Sequence, residues 1–549
     1  MCVQVWLFEF AMTSFIVVNN IKLPINASFI EAFSVAKKRL RSIGVSTDGK
    51  AFAVYRRSVD ARKKENVHFV YSVSVKGEFG NISAERLKSA DMALTEDNTE
   101  MSLSFGDTPL SAPPVVVGTG PAGLFAALLL AENGYNPVVL ERGGTVSERK
   151  AACGKFVADR VLDPETNIQF GAGGAGTFSD GKLVTRINDP LTAYVLSAFC
   201  RFGASEEIKY IAKPHVGTDV LSVVVERILE RIVELGGRVE YHTKFLCALD
   251  RCGEVYAVRT SKGDIPAGAV ILAVGHSARD TYQTLIRSGF SVEAKDFSVG
   301  MRIEHIADDI DGAMYGSFAG NPLLGHAEYA LSSNTKERGV YTFCMCPGGE
   351  VVAAASENGG VVVNGMSYNS RSGRNSNSAV LASVFKGDYG KTPLAAIEFQ
   401  RKIERAAFNS AGGDYSAPYI TVGDFLSGKI GSEPKRVLPS YMSGGVKNVR
   451  PEEYLPHFVT DSIKNALLAF DKKINGFASF DAILTGAETR TSAPLRILRD
   501  GTNRTAVGYK NLYPAGEGAG YAGGITSAAV DGIRSAAALM ELYAPRIRR

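Results

Sequence analysis

The sequence predicts an α/β chain in three parts, and three observations carry that reading. Buried-type strands run into glycine turns and Ala/Leu-rich helices after residue 113, and a Gly/Ala-rich α/β style returns in the last 60 residues. Between about 295 and 480 the pattern changes to alternating strands, turn dipeptides and two amphipathic helices. The first 90 residues form a separate, basic α+β unit. With 549 residues, of which 45% are hydrophobic, the chain has room for three or four domains. Its composition excludes wholesale disorder, collagen-like repeats and coiled coils.

The N-terminal unit comes first. Met1 to Val18 is apolar apart from Gln4, Glu9, Thr13 and Ser14, with no basic lead and no small-residue cleavage site, so no signal peptide is expected. As a membrane anchor it would place Glu9 near the bilayer centre, at a cost of a few kcal/mol. Phe15 to Val18 followed by Asn19-Asn20 reads as a strand and a turn, and Met12 is an alternative start. Residues 20 to 80 hold twelve Lys and Arg against five acids. The spacing predicts a helix over 28–42 and strands over 51–55 and 67–75. From Asp91 to Asp107 there are five acids and no base, and the stretch reads as a linker. The expected boundaries are a basic domain over 1–90, a linker over 91–110, a nucleotide-binding part over 111–294, an inserted domain over 295–480 and a returning part over 481–549.

Function classes narrow from charge and cysteine usage. The 61 basic and 57 acidic residues leave only +4, so the chain as a whole is no polycationic nucleic-acid binder. Seven cysteines, an odd number without framework spacing or a C-x-x-C pair, argue against a disulfide-stapled secreted protein and a zinc ribbon. No metal site and no membrane partner are expected, and a cytoplasmic location is the default.

G-x-G-x-x-G occurs three times, at Gly118/Gly120/Gly123, Gly171/Gly173/Gly176 and Gly518/Gly520/Gly523. Only the first follows a buried strand (Pro113 onward), opens a helix (Pro121, Ala122 and beyond) and has an acid at the proper interval. That acid is Glu141, 23 residues after Gly118, at the end of a second strand over 137–140. Gly118 suits the tight turn, Gly120 the approach of a pyrophosphate, and Gly123 close helix–strand packing. The helix N-terminus offers free N–H groups to phosphates, and Glu141 is placed for ribose hydroxyls. This predicts a Rossmann-type dinucleotide site. A helix over 219–235, a strand over 239–242, a meander around Arg251 to Gly253 and a buried strand over 269–274 extend the sheet.

Val138 to Leu140 with Glu141, Arg142 and Gly143 resembles the strand end of FAD-binding flavoprotein oxidoreductases. Val270 to Gly275 and Asn511 to Gly518, with Gly516 and Glu517, resemble two further cofactor-side segments of those proteins. The whole is similar to the group of fumarate reductase flavoproteins, p-hydroxybenzoate hydroxylase and geranylgeranyl reductases. More narrowly, Gln169 to Leu183, Gly275 to Asp280, Phe343 to Gly349 and Glu488 to Ser492 resemble an uncharacterised bacterial family of FAD-dependent dehydrogenases. The resemblance covers most of 110–549 and includes the basic N-terminal domain. It implies noncovalent FAD and a redox role, with cofactor contacts from Gly173, Gly174, Thr177, Ser179, Gly181, Lys182 and Leu183 in the glycine loop. Gly523, Gly524 and Ile525 would add contacts at the last helix. No second strand–glycine–helix unit stands ready for a nicotinamide dinucleotide, so NADH or NADPH would act only as a transient donor.

Candidate chemistry gathers on a few side chains. His276 follows a strand at its carboxyl end and suits proton transfer, its ordinary pKa lying near 7. Arg279 either orients an anion or caps the following turn. Cys344 and Cys346 alternate along a strand, so period-2 geometry sets both thiols on one face, either near the flavin or simply in the core. Arg302, with Glu304 and His305, and Arg490, with Glu488 and Arg496, offer guanidiniums for reduced flavin and for carboxylates, or form ion pairs. The expected function is hydride or two-electron transfer between FAD and a small, anionic molecule. An RNA-acting flavoprotein using the basic domain, and a non-catalytic FAD-binding regulator, are the alternatives.

Overall fold

The computed structural model describes residues 14–79, 82–96, 101–185, 187, 189–334 and 338–547. The choice between Met1 and Met12 as start lies outside the described residues, as does most of the apolar N-terminal stretch.

The basic unit is a four-stranded antiparallel sheet in the spatial order Ala51–Asp60, His68–Lys76, Ser14–Pro24, Met92–Glu96. Helices Phe29–Ser42 and Ala84–Ser89 complete a β-α-β-β-α-β, ferredoxin-like arrangement. The first helix starts where a capping box forms between Ser28 and Glu31. Ala32, Ala36 and Leu40 recur every four residues and bury against Ile16, Val18, Val73 and Val75. The stretch read as a linker from 91 begins instead as the fourth strand, Ser14 to Val18 pairing with Glu96 to Met92. An edge strand needs few apolar residues, which is why its acidic composition hid it.

The nucleotide-binding part is a five-stranded parallel sheet ordered Leu512–Pro514, Val270–Leu272, Val115–Val117, Val138–Leu140, Arg238–Glu240. The helix Pro121–Glu132 is buried nearly all round because Thr218–Glu234 and Ile525–Leu542 pack on it, which explains its unbroken Ala/Leu composition. A Cβ at Gly532 would overlap the Ala122 carbonyl, so glycine lets the first and last helices cross closely. The meander is a three-stranded antiparallel sheet, Phe245–Arg251, Glu254–Thr260 and Gly263–Pro266.

The inserted part is built on a seven-stranded sheet ordered Ser332–Asn334, Gly339–Cys346, Asn375–Val384, Phe297–Ile306, Ile483–Glu488, Ala417–Thr421, Val446–Asn448. Phe297–Ile306 is buried at every position. Its partner Ile483–Glu488 lies in the same sheet, so the domain extends past the boundary expected at 480.

The closest backbone approach in the glycine turn gives a stability test. A Cβ at Gly123 would overlap the Gly118 carbonyl oxygen. Gly123→Ala should therefore lower unfolding stability by about 1–3 kcal/mol, or prevent folding altogether, as measured by urea denaturation. Stability equal to the parent would show that the turn relaxes freely.

Candidate functional site

A cleft of about 320 Å³ runs along the carboxyl ends of the parallel strands and is closed on one side by the inserted domain. At one end lies the glycine turn. Gly118 adopts φ +95°, and a side chain there would strike the Ala273 carbonyl. At Gly120 a Cβ would have only the Gly174 Cα, 3.9 Å away, as a neighbour, and Gly120 lines the cleft. The backbone is thus left bare where a phosphate approaches. Two helix N-termini, at Pro121 and Ile525, line the same space, capped by Gly120 and Gly524. Their first-turn N–H groups lack intrahelical acceptors and suit a diphosphate.

Glu141 is 4% exposed and lines the cleft. One carboxylate oxygen accepts from the Thr119 backbone N–H (3.1 Å) and hydroxyl. The other accepts from the amides of Gly143 and Gly171, each at 3.0 Å. These four donors fill the lone-pair sites of a carboxylate, so a ribose hydroxyl reaching Glu141 shares an oxygen with one of them. The acid therefore organises the loops around the cofactor end, beyond the ribose role expected of it.

Arg149 was not singled out by the sequence, although the helix carrying it, Val146–Asp159, announces itself by the Thr145/Glu148 capping box. Its guanidinium is fully buried and donates to the carbonyls of Asn167 (2.8 Å), Ile168 (2.5 Å) and Ala172 (2.8 Å). Burial pushes its pKa down to about 10. An arginine in a helix ordinarily reads as a solvated residue, and nothing in the local pattern marks this one as buried.

The other end of the cleft carries polar groups with few partners. His276 lines it with Nε2 buried and unpartnered, while the Arg490 backbone lies near the ring. Burial, reinforced by the cations Arg490 and Arg279, pushes its pKa down to about 4. It is neutral at pH 7, with Nε2 facing the cleft lining without a partner, which corrects the expectation of a group titrating near 7. Glu517 moves the other way. Burial pushes its carboxyl up to about 7, with Lys295 opposing and Cys344 adding to the rise. Phe343, Cys344, Asn364, Glu488, Arg490 and Thr491 form the wall contributed by the inserted domain and its return.

Of the residues expected at the cofactor, Gly118, Gly120, Pro121, Ala122, Glu141, Arg142, Gly174, Ser179, Lys182, Gly275, Gly516, Glu517, Gly523, Gly524 and Ile525 line the cleft. Gly123, Gly173, Thr177, Gly181 and Leu183 stand behind it. Gly173 donates to Thr119, Thr177 accepts from Thr218 through its carbonyl, and Leu183 accepts from Thr526 in the same way. They hold the lining residues in place. Lys182 is offset by Asp180 and Glu328 at 3.1 and 3.2 Å, and Arg142 by Glu165 and Asp280.

Among the residues expected to be catalytic, Arg302 and Cys346 do not line the cleft. Arg302 is completely buried, paired at 2.7 Å through Nε and Nη2 with the two oxygens of Glu488. Arg490 does line it, but its guanidinium holds Glu404, which also pairs with Arg279. Glu488 and Arg490 thus pair with other partners and not with each other. Arg279 is buried against Glu404, Glu357 and Gln400 and is not free to orient a ligand. The small anionic substrate expected from Arg302 and Arg490 loses its argument, since both charges are consumed by buried carboxylates. The simple alternation of Cys344 and Cys346 is also interrupted, by a bulge that sets Cys344 at φ +43°.

The bare-backbone cradle at Gly120 and the unpartnered His276 Nε2 line one cleft and fit a dinucleotide with a polar ring system. Fold and cleft together define a flavoprotein of the α/β class. The chain belongs to one family with an uncharacterized protein of Clostridium beijerinckii, 44% identical over 531 residues, 96% of this chain and 98% of that one. Residues 296–491 match the family model described as FAD-dependent protein, C-terminal domain-like, and residues 15–76 match a domain of unknown function. Similar solved structures include glycine oxidase from Bacillus cereus (10% identity, 79% of this chain and 99% of that one, TM-score 0.34). L-amino acid deaminase from Proteus vulgaris is similar at 14% identity, covering 81% and 97%, with a TM-score of 0.32. A geranylgeranyl bacteriochlorophyll reductase-like protein from Thermoplasma acidophilum is similar at 13%, covering 77% and 76%, with a TM-score of 0.32. No helix among the described residues is long and apolar enough to cross a membrane.

Glu517 gives a pH test with a definite sign. Its folded pKa, about 7, lies above the ordinary 4.5, so the native state holds this proton more tightly than the unfolded chain. The stability it contributes is present below pH 4.5 and is lost as pH rises toward 7. The thermal midpoint of Glu517→Gln should therefore gain on the parent across that window and hold its lead above it. A constant difference at all pH values would show that Glu517 does not titrate there.

Proposed function

We propose that this chain is an FAD-dependent oxidoreductase that moves a hydride, or two electrons, between FAD and a small molecule entering beside His276 and Cys344. The observation that carries the reading is the continuity of one cleft, from the bare backbone of Gly120 to the proton-handling groups His276 and Glu517. The bound flavin supplies the redox chemistry. The chain's own residues position it and control water and protons. Gly120 and the N-termini at Pro121 and Ile525 receive the diphosphate. Glu141 holds the Thr119 and Gly171 backbones in register beside it, and takes a ribose hydroxyl as an additional donor. The Gly171–Gly181 loop and the wall at Phe343 and Cys344 exclude water from the flavin. His276 accepts a hydrogen bond at Nε2 without itself becoming charged, and Glu517, half-ionised near pH 7, gives or takes a proton at its carboxyl.

Gly120→Val provides the direct test, because its side chain enters only the cleft. The variant should fold with stability close to the parent and retain less than about a tenth of its FAD, as read by absorbance and by extraction of the cofactor. A yellow, flavin-replete Gly120→Val protein, or FMN as the extracted cofactor, would reject the assignment. Anaerobic titration with NADH and with NADPH, followed by flavin bleaching, then identifies the transient donor.

A further inference from the structure

The inserted domain turns two cysteines toward the cleft in different ways. On the strand Gly339–Cys346, Phe343 pairs with Ala379 while Cys346 pairs with Asn377, so one extra residue is accommodated between them. Cys344 lies in this bulge at φ +43°, a conformation side chains rarely adopt. Arg302 holds it there: its Nη1 donates to the Cys344 carbonyl at 3.0 Å and to Asn377 at 2.8 Å, and reaches Cys346 Sγ at 4.0 Å. The result is that Cys344 lines the cleft and Cys346 is fully buried behind it. The Cys346 thiol donates to the Cys344 carbonyl at 3.3 Å. One cysteine is therefore open to the cleft and the thiol of a second lies behind it, against the backbone of the first.

We propose that Cys344 and Cys346 form a redox-active dithiol that exchanges with a small-molecule disulfide entering the cleft. The proposal rests on the flavin reading for its source of electrons. The Cys344 thiolate attacks one sulfur of the substrate RS–SR, forming a Cys344–S–S–R bond and breaking the substrate's S–S bond, so that RS⁻ leaves. Cys346 then attacks Cys344 Sγ, forming the Cys344–Cys346 disulfide; the second RS⁻ leaves and takes up the Cys346 proton. The protein disulfide returns to one thiol and one thiolate by accepting the two electrons and one proton that reduced flavin carries as FADH⁻. Atoms and charge balance at each step without a further reactant.

The local electrostatics suit this order. The neighbouring Cys346, Arg302 and Lys182 hold the Cys344 thiol below its ordinary pKa against the opposing effect of burial. The neighbouring Cys344, together with burial, pushes the Cys346 thiol up. The sulfur at the cleft is thus the readier nucleophile, and the one behind it keeps its proton until needed.

Trypsin releases Gly339 to Arg371 as one peptide whose only cysteines are Cys344 and Cys346. The FAD-loaded protein is exposed anaerobically to oxidised glutathione, quenched in acid, unfolded, alkylated and digested. The peptide should have lost two hydrogens and carry no alkyl group. Cys346→Ser should trap a glutathionyl group on Cys344, and Cys344→Ser should leave Cys346 fully alkylated. Photoreduction of the flavin in the oxidised protein should restore two alkylatable thiols. A parent peptide that carries two alkyl groups after the exposure, or a glutathionyl group that Cys346 never displaces, would overturn the proposal. Flavin content measured on the same sample separates the two readings: a flavin-free protein rejects the cofactor assignment, whereas flavin-replete protein with inert thiols rejects only the dithiol.

Discussion

The cleft depends on a pair of opposite charges that grip one loop from its two chemical sides. From Asn167 to Gly174 the chain has no helix or strand to satisfy its backbone. Glu141 takes the Gly171 amide, and Arg149 takes the carbonyls of Asn167, Ile168 and Ala172. Hydrogen bonds to charged groups contribute about 1.5–3 kcal/mol each, and they add to the packing of Ile168 and Ala172 in the core. The same Glu141 carboxylate binds Thr119 in the glycine turn and Gly143 beyond its own strand. One buried acid thus sets three backbone segments against each other, and the space left between them is where the dinucleotide fits.

A second set of buried charges fixes the opposite wall. Glu404, from the helix Pro393–Ser410, is shared between Arg279, which follows the His276 turn, and Arg490, which follows the strand Ile483–Glu488. Thr489 donates to the same carboxylate. Arg302 and Glu488 tie two neighbouring strands of the inserted sheet, and through Arg302 reach the Cys344 bulge. Buried ion pairs of this kind add little net stability compared with apolar packing, but losing one partner leaves a charge stranded at a cost of about 3–5 kcal/mol. Their effect here is geometric: the inserted domain meets the cofactor domain in one register.

How much of this was legible in the sequence divides along a physical line. Local backbone requirements were visible: the bare position at Gly120, the close approach at Gly123 and the acid at Glu141 follow from spacing along one strand–turn–helix–strand unit, whereas the strand ends at Gly275 and Gly516 were carried by the family resemblance. The ferredoxin-like start was visible as periodicity, but its edge strand Met92–Glu96 was not, because an edge strand carries little apolar signal. Charge pairing was not visible either. Ion pairs were one of two readings for Arg302 and Arg490, and Arg279 read as an anion ligand or a turn cap; their actual carboxylates, Glu488, Glu404 and Glu357, could not be named because they come from other strands, helices or loops. Arg149 was hidden for the same reason in reverse, since its partners are carbonyl oxygens that no sequence pattern marks.

One cause, removal from water, sets both protonation states at the reacting end, and it acts on them in opposite directions. Burial disfavours whichever form is charged, so it lowers the imidazole of His276 and raises the carboxyl of Glu517. Around neutral pH the first is an uncharged acceptor and the second is poised between its two forms. Arg490 in the cleft wall and Arg279 are both held against Glu404, and their field on His276 acts in the same direction as burial and reinforces its neutrality. With His276 uncharged, it is the Glu517 carboxyl, also in the cleft lining, whose charge changes near neutral pH. A flavin bound in the cleft would exclude more water and push Glu517 further toward its protonated form, so cofactor binding and proton uptake at this carboxyl are coupled in the same direction.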